Sequence, residues 1–307
     1  MYRLAALLVL SVAIESATPV SATTTAPQVV AKIRVGLGPC LSDAAFGYVW
    51  VTNNTAGTVT RVNPRTNKAK GGVKVGGGPC GIVHGAGSLW IDGFGTSRIE
   101  RLDPSKLRVV KRINVGLDVW DDWFAFGSVW ASNHRDGTVV RIDPARNRVV
   151  ATIRTGGSPA NFDVADGSVW VGSNGPDDTF VFRIDPATNG FTRVEVGQKA
   201  PDGFATDGHQ IWTTNNGSET ISQLDPATNE VLGTVKVGNR PTSGAITPDG
   251  RIWVPNTGSG TISIVDPAAR SVVETLQVGP APFPLRLAYG DVWVPISGSR
   301  EIWRIRP

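Results

Sequence analysis

Two indole rings and three carboxylates crowd the segment Leu117-Asp118-Val119-Trp120-Asp121-Asp122-Trp123. Aromatic faces beside carboxylates suit an organic cation, held by the ring quadrupole and by charge together. Asn161, Asp163 and Asp202 continue this chemistry downstream, and Asp177 and Asp178 add two more carboxylates. Oxygen donors gathered without thiolates suit a hard cation, Ca²⁺ or Mg²⁺, with Asp122, Asn161, Asp163 and Asp202 as the expected ligands. His134 and Arg135 follow in the same stretch, and a histidine there can titrate near neutral pH. The plain alternative is that the tryptophans fill space and the carboxylates are solvated. The chain contains no phosphate-binding glycine loop, nucleophile elbow or zinc-spaced histidine pair.

These residues belong to a repeat. Trp50, Trp90, Trp130, Trp170, Trp212, Trp253 and Trp293 stand 40, 40, 40, 42, 41 and 40 residues apart. A period of about 40 residues holding several short β-branched runs marks a β-propeller blade, which buries its faces only against its neighbours. Each unit reads as four strands, A to D from the channel outward, with an Asx-Pro turn after strand C at Asn63, Asp103, Asp143, Asp185, Asp225 and Asp266. The last unit stops after Glu301-Ile302-Trp303-Arg304-Ile305, while an orphan strand D, residues 29–35, precedes the first. The expected fold is therefore all-β, a seven-bladed propeller of four-stranded blades spanning 29–307, closed by the amino-terminal strand.

Strand order puts the D-to-A and B-to-C connections on one face of the disc. The opposite face is uniform, with hairpin pairs such as Phe46-Gly47, Ala86-Gly87 and Phe126-Gly127. The first face varies: the mouth of strand A carries Cys40, Cys80, Trp120, Ala160, Asp202, Thr242 and Phe283. Proline precedes this position in six blades and is missing in blade 3, so blade 3 is read as the largest departure from the repeat. The expected ligand-binding set is Trp120, Asp121, Asp122, Trp123, His134, Arg135, Asn161, Asp163, Asp202 and Phe283. Two other histidines have plain readings, His84 between blades and His209 in solvent.

Cys40 and Cys80 sit at equivalent positions in blades 1 and 2. Seven such positions on a ring of roughly 7–8 Å radius stand about 6–7 Å apart, within disulfide range. A bridge would contribute on the order of 4 kcal/mol by chain entropy. Free thiols, or a thiolate pair on a soft metal, are the competing readings.

Arg3, the apolar run Leu4–Ile14 and a polar stretch ending at Ala22 read as a signal peptide over 1–22, with 23–28 as linker. No later run approaches the ~20 apolar residues of a membrane span. The expected location is exported, periplasmic or extracellular. Net charge is +4, but residues 36–156 hold 16 Lys and Arg against 9 Asp and Glu, whereas 157–307 hold 11 against 16. The recurrence of Arg61, Arg101, Arg141 and Arg183 at the blade period is structural rather than a nucleic-acid footprint.

The runs Val49-Trp50-Val51-Thr52-Asn53, Arg183-Ile184-Asp185-Pro186-Ala187-Thr188-Asn189 and Ala151-Thr152-Ile153-Arg154-Thr155-Gly156-Gly157 resemble YVTN-type bacterial propellers and, more loosely, the streptogramin (virginiamycin B) lyase family. The lyase resemblance implies Mg²⁺-assisted opening of a cyclic ester by histidines and a glutamate at the channel mouth. The residues after the strand-A prolines here are Cys40, Cys80, Ala160, Asp202, Thr242 and Phe283, without histidine or glutamate. Calcium-dependent lactonase propellers are a remoter likeness, resting on Asp122, Asn161, Asp163 and Asp202. The leading expectation is an exported, non-catalytic propeller binding a small molecule or protein partner on the variable face at blades 3–5. The alternative is a metal-assisted lyase or lactonase at the same face.

Overall fold

The computed structural model describes residues 26–307; the expected signal peptide lies outside them. Seven four-stranded antiparallel sheets form the blades, and their strands run in sequence order in six of them. The seventh has the order Gln28–Arg34, Glu301–Arg306, Asp291–Ile296, Arg286–Ala288, so the amino-terminal strand closes the ring. It pairs antiparallel with the last strand, Gln28 opposite Arg306 and Arg34 opposite Glu301.

The repeated tryptophans are the largest fully buried side chains. In five blades the indole N–H donates to the carbonyl five residues earlier, as from Trp50 to Ala45 at 3.0 Å, tying strand B to the end of strand A. The Asx side chain of every Asx-Pro turn accepts the amide two residues on, for example Asp143 Oδ1 from Ala145 N at 2.8 Å. Strand-C arginines lock adjacent blades. Arg101 stacks on Trp90 and donates to Pro144 O and Asn147 Oδ1 of the next blade, and Arg141, Arg183 and Arg304 repeat the arrangement.

Blade 3 has the common four-stranded pattern, with an unbroken innermost strand, Val119–Ala125. The expectation that it departs most from the repeat is thus corrected: its difference lies in its side chains. The backbone breaks instead in blades 6 and 7, whose innermost strands shrink to Ala245–Ile246 and Arg286–Ala288. There the inner segment bonds sideways: Gly244 N donates to Phe204 O and Leu285 N to Ser243 O, across blade boundaries. Pro284, lacking an N–H, cannot join the ladder in blade 7.

Candidate functional site at the channel mouth

Backbone bonds bring the variable loops together on one face. In every blade the first residue after strand B donates its N–H to the D-to-A turn, as from Asn54 to Gly38 O, His134 to Asp118 O and Thr257 to Arg240 O. Inside this collar lies a cavity of about 360 Å³, lined by the mouth residues Cys40, Cys80, Trp120, Asp202, Thr242 and Phe283, with Asn161 beside them. Trp120 does not fill the channel. Its ring stacks on His134, centroids 4.5 Å apart and planes 22° apart, and meets Phe94 at 5.0 Å. This packing leaves Trp120 half-buried as one wall of the cavity.

The cavity is divided. Phe283, the Cys40–Cys80 disulfide, Phe94 and Trp120 make an apolar arc across blades 7, 1, 2 and 3. Asn161, Asp202 and Thr242 make a polar arc across blades 4 to 6, with exposed Arg240 on its rim. The cysteines, Cα atoms 5.0 Å apart, are bonded, which resolves the three sequence readings in favour of the disulfide. Asp202 accepts from Asn161 Nδ2 at 3.2 Å. Burial and the neighbouring Asp121 push its carboxyl up to about 7, against the pull of Arg240.

No protein-family model and no curated protein sequence matches this chain. Its fold has close structural likenesses. Virginiamycin B lyase from Staphylococcus aureus superimposes with TM-score 0.79 at 14% identity, covering 92% of this chain and 99% of the lyase. A streptogramin B lyase gives 0.79 at 15%, covering 91% and 97%, and the WD40 propeller domain of Doa1 gives 0.78 at 15%, covering 92% and 97%. At such identities the likeness extends to the fold alone.

The structure divides the residues that the sequence reading grouped. A strand rises ~3.3 Å per residue, so Trp123, three positions beyond Trp120, sits about 10 Å further along the channel. It belongs to a second cavity of about 260 Å³ near the uniform face, with Asp43, Val83, His84, Phe124 and Arg286, which corrects its placement at the mouth. The Arg286 guanidinium lies 4.4 Å over its ring. Asp163 is half-buried and feels the same guanidinium; desolvation raises its carboxyl to about 6 while Arg286 opposes. His84 Nδ1 lies 2.7 Å from Asp43 Oδ2 of blade 1, a hydrogen bond that raises its pKa. His209 is 89% exposed, as expected.

His134, half-buried against Trp120, has its pKa lowered by desolvation. Arg135 and Asp177 are exposed and do not line the cavity. Asp178 staples its own loop, accepting from Ser173 Oγ, Ser158 N and Gly175 N. Asp121 and Asp122 point into the blade wall, where the closest convergence of carboxylates among the described residues joins them to Asp92 rather than to Asp163 or Asp202. The sequence reading missed Asp92, although its position was legible. Two residues after the repeat tryptophan, the other blades place Thr52, Ser132, Gly172, Thr214, Pro255 and Pro295, and blade 2 alone places a charge.

Proposed function

We propose that this protein is an exported, non-catalytic propeller that binds a small amphipathic organic cation at the channel mouth. The division of the 360 Å³ cavity into an apolar arc and a carboxylate-bearing polar arc carries this reading. A hydrocarbon or aromatic group would lie against Trp120, Phe283 and the disulfide. Its ammonium would face Asp202, gaining charge pairing there and ring-quadrupole attraction beside the aromatic wall. The disulfide supports export, since such bonds persist in oxidising compartments. Among the described residues, no helix is long and apolar enough to cross a membrane.

A binding role is favoured over the elimination suggested by the lyase neighbours. A general base must reach the proton it removes, yet the imidazole nearest the cavity is stacked under Trp120. Titration of the purified protein with phenethylamine and longer arylalkylamines, followed by calorimetry and tryptophan fluorescence, tests the reading. Binding is expected for amines and not for matching arylalkyl carboxylates, and Trp120→Ala or Asp202→Asn should weaken it at least tenfold. Amine binding that survives both substitutions, or metal-dependent turnover of quinupristin or a lactone panel, would overturn it.

A further inference from the structure

We infer that Asp92, Asp121 and Asp122 form a binding site for a hard divalent cation, buried between blades 2 and 3 and separate from the mouth cavity. Each offers one carboxylate oxygen, and these oxygens lie within 4.8 Å of one another. Oxygens sharing one Ca²⁺ at about 2.4 Å can be no farther apart than about twice that distance. All three side chains are at most 3% exposed. Asp92 Oδ2, Asp121 Oδ1 and both oxygens of Asp122 have no hydrogen-bond partner. Four unpartnered, buried carboxylate oxygens carry a desolvation cost that a cation would offset.

Ordinary structural duties explain only part of each side chain. Asp92 Oδ1 accepts the amides of Cys80 and Gly81 at 2.9 and 2.8 Å. In blades 1 and 3 a hydroxyl does that job, Thr52 Oγ1 accepting from Leu41 N and Ser132 Oγ from Asp121 N. The second oxygen of Asp92 is therefore surplus to the fold. Asp121 Oδ2 accepts Phe162 N, leaving Oδ1 over. Asp122 has no such duty, and at its position the flanking blades 2 and 4 bury Ile82 and Phe162, while blade 1 buries only the small Ser42. A carboxylate has replaced core hydrocarbon.

Gly81 supplies the room. A Cβ on it would lie 2.6 Å from Asp122 Oδ1, 2.6 Å from Asp92 Oδ2 and 3.0 Å from Asp121 Oδ1, so the surplus oxygens face one space above its Cα. Oxygen donors without sulfur or imidazole select Ca²⁺, Mg²⁺ or Mn²⁺ over softer ions. Asp43 adds negative charge nearby and Arg286 positive charge.

The full-length protein, stripped with chelator and held at pH 7.5, would be titrated with Ca²⁺, Mg²⁺ or Mn²⁺ alone by calorimetry and thermal melting. Saturating ion is expected to raise Tm by about 5 °C or more. Asp122→Asn and Gly81→Ala should each weaken ion affinity at least tenfold. Asp122→Ile, which restores the residue type of Ile82, should fold stably in chelator, melt above stripped wild type and ignore added ion. A wild-type protein with neither ion binding nor ion-dependent Tm, or an ion response undiminished in Asp122→Ile and Gly81→Ala, overturns the site.

Discussion

Asp202 couples the mouth cavity to pH. Its carboxyl lies near 7 in the folded protein against an ordinary 3.8, because burial and Asp121 disfavour its charge. The folded state then holds the proton more tightly than the unfolded chain. This stabilising contribution is complete below about pH 4 and is lost as pH rises through 7. Asp121, near 7, and Asp163, near 6, act in the same direction. In chelator, wild-type Tm should therefore decline from pH 4 to pH 8. Asp202→Asn should keep the Asn161 contact, flatten that decline and melt about 5 °C above wild type at pH 8, with little difference at pH 4. Amine affinity should move oppositely, tightening as pH rises through 7 in wild type alone. At this scale residue types were legible and their directions were not. Asp121, Asp122 and Trp123 are adjacent in sequence, but the path of the strand sends two into the blade wall and the third toward the far end of the channel.

Blades are joined by contacts whose partners no single repeat reveals. The arginine period could be read as structural, but its reach into the next blade depends on how the sheets stack around the ring. Arg141 shows the full clamp: stacking on Trp130, a bond to Ser128 Oγ and bonds to Pro186 O and Asn189 Oδ1. Arg141→Ala should cost about 2–3 kcal/mol, since charge-assisted bonds and a desolvated stack are lost together. Denaturant unfolding would measure it, and a change under about 0.5 kcal/mol would mean the blades hold by apolar packing alone. Between blades 1 and 2 the joint is instead covalent at its inner edge, through Cys40 and Cys80. Replacing Cys40 and Cys80 by alanine should cost about 2–4 kcal/mol and leave the wild-type protein distinguishable from the variant only under non-reducing conditions. The sideways bonding of blade 6 escaped the sequence reading because the strand-A proline is common to six blades and carries no signal of where the ladder fails, whereas in blade 7 the second proline, Pro284, was a legible sign.

Closure governs the whole ring, and it was legible because the strand count balances only if the first strand completes the last blade. Val29 to Arg34 cover the outer edge of Glu301–Arg306, and the Lys32 ammonium lies 3.8 Å over the Trp303 ring. Removing residues 26–35 would expose that edge and Trp303, which is 8% exposed in the closed ring. The truncated chain should aggregate or lose cooperative melting. Covalent position should matter much less than pairing. Gln28 stands opposite Arg306, as Lys68 stands opposite Asn63 across the four-residue turn of blade 1. A circular permutant that begins at Gly36 and joins Arg306 to Gln28 through a four-residue turn copied from Pro64-Arg65-Thr66-Asn67 would give blade 7 the same C-to-D hairpin as its siblings. It should melt within about 5 °C of wild type and remain monomeric by light scattering, because it preserves every ladder bond and breaks only one surface connection. A truncated chain as stable and monomeric as wild type would show that the ring does not need its clasp. A permutant as defective as the truncation would show that the connection from Val35 to Gly36, rather than strand pairing, holds the circle shut.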